Sequence, residues 1–125
     1  MYTALVLNPQ SHQQLIDHFR EIIPSTWTLY GHHMTINMGN AESGPLMANK
    51  FNLDEESELT IISLAYDNKV IAVGVDTEVP SNNKVKHITL AVDRASGGKP
   101  FHSNQLTNWN PTSPLKLRGI IEEIQ

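Results

Sequence analysis

The fold is decided by residues 59–76, which read LTIISLAYDNKVIAVGVD. Both halves of this stretch are rich in β-branched and other apolar residues, as is typical of strands. Asp67 and Asn68 stand between the halves, and both residue types tolerate the left-handed backbone of a tight turn. The stretch therefore predicts an antiparallel hairpin with strands at Leu59 to Tyr66 and Val70 to Asp76.

A strand and a helix are predicted ahead of the hairpin. Residues 1–7 are mostly apolar and predict a first strand, which ends in a turn at residues 8–11. Ser11 and Gln14 have the spacing of a capping box, so we expect the helix to begin here. Apolar residues then recur at helical spacing as far as Pro24, which predicts the end of the helix.

Further strands and two long loops complete the predicted organisation. Three more segments are strand-like: residues 27–38, 84–93 and 115–124. Residues 39–56 and 95–113 predict loops, the second with a short helical turn around Asn104 to Asn108. About six strands and one clear helix indicate an α+β fold with mostly antiparallel pairing.

Length, composition and charge limit the class of protein. The 125 residues predict one domain spanning 1–125, which must hold the whole site. An apolar content of 39%, without an apolar run of about 20 residues or a secretory pattern, predicts a globular protein with no membrane segment. The absence of cysteine is typical of a cytoplasmic protein. A net charge of −4 argues against binding long nucleic acids but is compatible with a small anionic ligand.

Two short elements are the main candidates for chemistry: His33-Met34-Thr35 and His87-Ile88-Thr89. Side chains alternate along a strand, so the histidine and threonine of each element share one face while the apolar residue points to the other. Two histidines suit phosphodiester hydrolysis, because an imidazole with a pKa of about 6.5 can serve as either general base or general acid. Threonine hydroxyls can hold the non-bridging phosphate oxygens between the imidazoles.

Polar neighbours of the first element allow two interpretations each. Asn37 is expected on the same face as His33 and Thr35 and could touch a ligand, whereas an asparagine near a strand end can also bond its local backbone. His32 next to His33 suggests a metal pair. Adjacent strand residues point to opposite faces, however, so we expect no shared metal ion.

The loop after the second element offers further candidates for substrate binding. Lys99 follows two glycines and could bring an ammonium group near a phosphate, with a plain turn as the alternative. His102, Ser103 and Asn104 lie where a ligand-contacting lid is expected. These four residues are therefore secondary candidates beside the two histidines and two threonines.

The two elements, each followed by an apolar residue at Ile36 and Leu90, resemble the signature motifs of the 2H phosphoesterase superfamily. Its members include LigT-like 2',5' RNA ligases, phosphodiesterases acting on 2',3'-cyclic phosphates, the cyclic phosphodiesterase part of tRNA ligases, and phage enzymes that destroy cyclic oligonucleotide signals. The resemblance implies a compact 2H phosphoesterase-like fold in which two His-x-Thr strands flank a central cleft. It also implies a phosphodiesterase without metal or cofactor, acting on a cyclic oligonucleotide signal or a 2',3'-cyclic phosphate by His/His acid–base catalysis.

Three other interpretations of the same motifs stay open. A binding module could sequester a nucleotide without turnover, in which case substitution of either histidine would only weaken binding. A ligase could run the reverse chemistry on RNA ends. A structural protein with accidental motifs is the third, and it predicts that the two histidine faces do not converge.

Overall fold

The chain forms one α-helix and seven β-strands in the computed structural model, which describes residues 1–125. In chain order the elements are β1 (Tyr2–Leu7), α1 (Pro9–Phe19), β2 (Thr28–Leu29), β3 (His33–Met38), β4 (Glu56–Tyr66), β5 (Val70–Asp76), β6 (His87–Val92) and β7 (Asn110–Ile124). Short 3₁₀ segments lie in the connections. One helix with an antiparallel sheet confirms the α+β prediction.

The sheet closes on itself. Its strands follow the order β6-β3-β1-β7-β4-β5, and β5 pairs back with β6, so these six strands form an antiparallel barrel. The short β2 adds to β6 outside this ring. A cluster of 19 buried apolar residues, most of them from the strands and α1, forms the core. The expected cleft therefore cannot lie inside the sheet, because apolar packing fills the interior of a small barrel.

The hairpin prediction is confirmed, with a longer first strand than expected. β4 begins at Glu56 and pairs with β5 from Thr60 opposite Asp76 to Tyr66 opposite Ile71. The last strand is also longer than residues 115–124, because β7 begins at Asn110. Pro111 and Pro114 both lie within this strand.

The helix begins earlier than its predicted start. Asn8 is the N-cap, since its side-chain oxygen accepts a hydrogen bond of 2.8 Å from the Ser11 amide, and Pro9 is the first helical residue. The predicted capping box at Ser11 was therefore wrong. The Ser11 hydroxyl instead accepts a bond of 2.9 Å from the Arg118 amide and ties α1 to β7. With 11 residues in α1, no helix is long and apolar enough to cross a membrane.

The predicted strand at residues 27–38 is divided into β2 and β3. Gly31 interrupts it with a φ of +64°, a left-handed conformation that glycine adopts without strain. The helical turn expected at Asn104 to Asn108 lies earlier, as the 3₁₀ segment Pro100–Gln105. This 3₁₀ segment follows β6 and lies against the second His-x-Thr element.

Candidate active site

The two His-x-Thr elements lie side by side on adjacent strands, and their middle residues are paired. Met34 of β3 pairs directly with Ile88 of β6 in an antiparallel register, and both side chains are fully buried. Residues on either side of this pair point to the opposite, outer face. The structure thus brings the His-Thr pairs of both motifs to one face of two adjacent strands, where diagonal neighbours are about 7–8 Å apart.

The second motif is held by the 3₁₀ segment Pro100–Gln105. The buried Ser103 hydroxyl lies 3.0 Å from Nε2 of His87 and 2.8 Å from the Thr89 hydroxyl. The Ser103 oxygen also lies 2.7 Å from the Pro100 carbonyl oxygen, so its single hydroxyl proton can be given either to Pro100 or to His87. On its other side, Nδ1 of His87 lies 2.7 Å from the Val85 carbonyl oxygen, to which it must donate. Partners of the chain itself therefore engage both ring nitrogens of His87.

The first motif has a different environment. His33 is half-buried, with its ring centroid 5.1 Å from that of Tyr2, and its Nδ1 lies 3.0 Å from Nδ1 of His32. The expectation that His32 and His33 point to opposite faces was wrong, because His32 precedes β3 and regular alternation does not apply to it. No group of three or more His, Asp or Glu side chains that could hold a metal ion lies together in the chain.

Burial shifts both motif histidines toward the neutral form. Burial, together with the positive charges that His32 and His87 can carry, lowers the pKa of His33 to about 4. Burial also lowers the pKa of His87, but hydrogen bonds with the Val85 carbonyl and the Asn104 side chain oppose the shift. Of the two, His87 has protein groups that stabilise its protonated form.

Asn37 lines the same cavity as His33 and Thr35, and its side chain also bonds the local backbone, which was the second interpretation of this residue. The register between β1 and β3 shifts by one residue, from Ala4 opposite Thr35 to Thr3 opposite Asn37. Next to this bulge Asn37 is buried, and its side-chain nitrogen donates to the Asn40 carbonyl oxygen at 2.9 Å. The following residue, Met38, is 78% exposed.

The candidates in the loop after β6 separate into two groups. Ser103 and Asn104 line the cavity in front of the two motifs. Lys99 is exposed and His102 accepts a hydrogen bond of 3.0 Å from the Lys99 backbone amide, and neither residue lines the cavity. The structure therefore does not bring Lys99 or His102 to the motifs, and His102 caps the 3₁₀ segment instead.

The cavity in front of the motifs has a volume of about 640 Å³ and a lining of 16 residues. No Asp, Glu, Lys or Arg is among them, so its polar groups are imidazoles, hydroxyls and amides. Several lining residues were not predicted, among them Tyr2, Asn82 and Asn83. The two asparagines belong to a turn that is attached to β3 by hydrogen bonds from the Ser81 hydroxyl to the Thr35 carbonyl, at 2.7 Å, and from the Asn82 amide to the Ile36 carbonyl, at 2.8 Å. No periodicity in the sequence marks such a turn as part of a site.

The protein is a small antiparallel barrel. Two histidines and two threonines on its outer face line one cavity, which contains no Asp, Glu, Lys or Arg. A sequence model described as the fungal tRNA ligase phosphodiesterase domain matches residues 11–122, and the chain belongs to this family. The family is part of the 2H phosphoesterases, which confirms the superfamily resemblance and makes the chain a phosphodiesterase-type domain. Searches of curated proteins and of solved structures returned no match.

Proposed function

We propose that the protein hydrolyses a 2',3'-cyclic phosphate on a small nucleotide or a nucleotide end, using His33 and His87 and no metal ion. The observation that carries the proposal is the direct pairing of Met34 with Ile88, which aligns the two His-x-Thr elements on one face. Membership of a family of tRNA ligase phosphodiesterase domains supports a cyclic phosphate as the substrate class.

His33 is suited to act as the general base. Its pKa of about 4 keeps the imidazole neutral near pH 7, and its Nε2 is left for a water molecule because Nδ1 faces His32. In the proposed step, water attacks phosphorus while its proton passes to His33. A new P–O bond forms on the side of the first motif.

His87 is suited to act as the general acid on the opposite side of phosphorus. The Val85 carbonyl holds a proton on Nδ1, so Nε2 is the nitrogen that donates to the leaving ribose oxygen. The P–O bond of the five-membered ring breaks as this oxygen takes the proton. One water is consumed, and the second hydrogen of that water stays on the phosphate monoester product.

Thr35 and Thr89 would bind the non-bridging phosphate oxygens. Each hydroxyl shares a face with its own histidine, so the phosphate would be held from both strands as charge develops on it. A cavity of about 640 Å³ is large enough for a mononucleotide. Its lack of carboxylates also matters, because a second surface cavity is lined by Glu55, Glu58, Asp76 and Glu78 and would repel a phosphate.

The test is a hydrolysis assay on 2',3'-cyclic mononucleotides, 3',5'-cyclic mononucleotides and cyclic dinucleotides in the presence of EDTA. His33→Ala and His87→Ala are compared with His18→Ala, which removes an exposed histidine on α1 far from both motifs in sequence. We expect 2',3'-cyclic phosphates to be cleaved by wild type and His18→Ala and to lose at least about 10²-fold in rate in the motif variants.

Other outcomes of this assay identify the alternatives. Binding of the 2',3'-cyclic nucleotide without turnover, weakened but not abolished in the motif variants, would indicate a sequestering module. Joining of RNA ends that carry a 2',3'-cyclic phosphate and a 5'-hydroxyl would indicate a ligase. Preferential cleavage of cyclic dinucleotides would retain the mechanism and replace the substrate.

A further inference from the structure

His87 has no free ring nitrogen with which to meet a substrate. Nδ1 donates to the Val85 carbonyl oxygen at 2.7 Å, and Nε2 lies 3.0 Å from the Ser103 hydroxyl. Since a neutral imidazole that carries its proton on Nδ1 is an acceptor at Nε2, the Ser103 hydroxyl can supply the proton of this second bond. Acid catalysis by His87 requires that this contact be broken.

The Ser103 oxygen makes the contacts that the proposed mechanism reserves for a phosphate oxygen. It lies within hydrogen-bond distance of both the histidine and the threonine of the second motif, at 3.0 Å from His87 Nε2 and 2.8 Å from Thr89 Oγ1. The side chain is only 2% exposed, yet it forms part of the cavity wall. No other hydroxyl bridges the two catalytic side chains of a motif, and the first motif has no such group.

We propose that the Ser103 hydroxyl occupies, in the unliganded protein, the position of a phosphate oxygen, and that substrate binding displaces it from His87 and Thr89. The inference rests on the proposed function, because it assigns the phosphate to the same His-x-Thr pair. It makes Ser103 a residue that competes with the substrate, rather than one that binds it as the sequence suggested.

Ser103 has an alternative partner within its own 3₁₀ segment. Its hydroxyl lies 2.7 Å from the Pro100 carbonyl oxygen in the same conformation, so the proton has a second acceptor once it is no longer donated to His87. Phe101 and Asn104 are carried by the same segment and line the cavity, and Phe101 is 54% exposed. A shift of this segment that withdrew Ser103 would therefore also move part of the cavity wall.

The exchange changes the proton on His87. A serine hydroxyl can donate to a neutral Nε2, whereas the oxygen of a phosphate diester can only accept. A phosphate oxygen in this position therefore requires a proton on Nε2, which is the state that a general acid needs. The other titratable side chains near His87 are His33 on β3 and Lys84, which borders the neighbouring cavity behind His87.

The experiment is a titration of the full chain with inorganic phosphate, followed by the NMR signal of the His87 ring nitrogens. Wild type is compared with Ser103→Ala and with Gln105→Ala, which alters the same segment at an exposed residue outside the cavity. Loss of one competing hydrogen bond should tighten phosphate binding by about 5-fold in Ser103→Ala and leave Gln105→Ala unchanged. In wild type, a parallel titration with dimethyl phosphate, a diester without a P–OH group, should convert Nε2 of His87 from an acceptor to a protonated nitrogen.

Steady-state kinetics on a 2',3'-cyclic nucleotide give a second measurement. Ser103→Ala should lower KM by a similar factor and leave kcat within about twofold, because the serine competes with the ground state of binding. Weaker or unchanged phosphate binding in Ser103→Ala, or a fall in kcat with KM unchanged, would overturn the inference and make Ser103 a positioning residue. Ser103→Gly answers the same question if the alanine variant does not fold.

Failure of the inference and failure of the proposed function are distinguishable. If wild type cleaves no cyclic nucleotide, the proposed function fails, and the phosphate titration still decides whether Ser103 competes at the second motif. If wild type cleaves its substrate and Ser103→Ala binds phosphate no better, only the inference fails.

Discussion

Acidification should destabilise the fold through His33. The ring is half-buried beside Tyr2, and burial together with the charges of His32 and His87 lowers its pKa to about 4. In the unfolded chain the same group titrates at about 6.5. Because the folded-state value is the lower one, the unfolded state binds the proton more tightly between these values. The contribution of neutral His33 to stability is complete above about pH 6.5 and is lost as the pH falls toward about 4.

The size of the effect follows from the two pKa values. At a pH below both pKa values the whole contribution of His33 to the free energy of unfolding is lost, which corresponds to about 3 kcal/mol. At about pH 5 the unfolded histidine is almost fully protonated and the folded one almost fully neutral, which corresponds to about 2 kcal/mol. Since the ring retains some contact with solvent, screening reduces the expected loss to about 1–2 kcal/mol.

Urea unfolding between about pH 5 and pH 8 measures this effect. Wild type is compared with His33→Gln, which removes the titrating group, and with His18→Gln, which removes an exposed histidine of α1. We expect wild type and His18→Gln to lose about 1–2 kcal/mol more than His33→Gln on going to the lower pH. The proposed effect of His33 would be refuted if the free energy of unfolding changed equally with pH in all three proteins, or if His33 titrated near 6.5 by NMR.

Two further predictions concern the packing behind the site. Gly31→Ala places a Cβ atom 3.0 Å from Ile16 Cδ1 at a φ of +64°, so it should cost about 1–2 kcal/mol in urea unfolding. Met34→Ala leaves a cavity beside Ile88 and should lower the free energy of unfolding by about 2–5 kcal/mol. Met34→Leu nearly keeps the side-chain volume and should lower it by less than about 1.5 kcal/mol. Equal losses in the two variants would mean that the core refills the space.

Local patterns predicted the parts of the fold that neighbouring residues determine. The hairpin of β4 and β5 needs only a turn and two apolar runs, and it formed where the turn residues indicated. The faces of His33, Thr35, His87 and Thr89 follow from alternation over three residues, and these side chains do lie opposite the buried Met34–Ile88 pair. Alternation is reliable over such short distances because the backbone geometry of a strand imposes it.

The remaining features depend on contacts between distant parts of the chain. The bulge beside Asn37 arises because β3 contains one more residue than the matching part of β1, and no pattern within β3 alone reveals it. Closure of the barrel depends in the same way on β5 meeting β6. The approach of Ser103 to the second motif depends on the course of the loop after β6, which carries no periodic signal.

The junction of β3 and β6 is the point where fold and site depend on the same contact. β3 and β6 share a single pair of facing residues, whereas β1 and β3 share five. Hydrogen bonds from Ser81 and Asn82 to carbonyl groups of β3 occupy positions that a longer ladder would have used. A full ladder would bring the two strands into close contact along their whole length. Here the junction is short, and the cavity in front of both motifs lies beside it. The least extensively paired junction of the barrel is therefore the one where a phosphate could be held between two histidines.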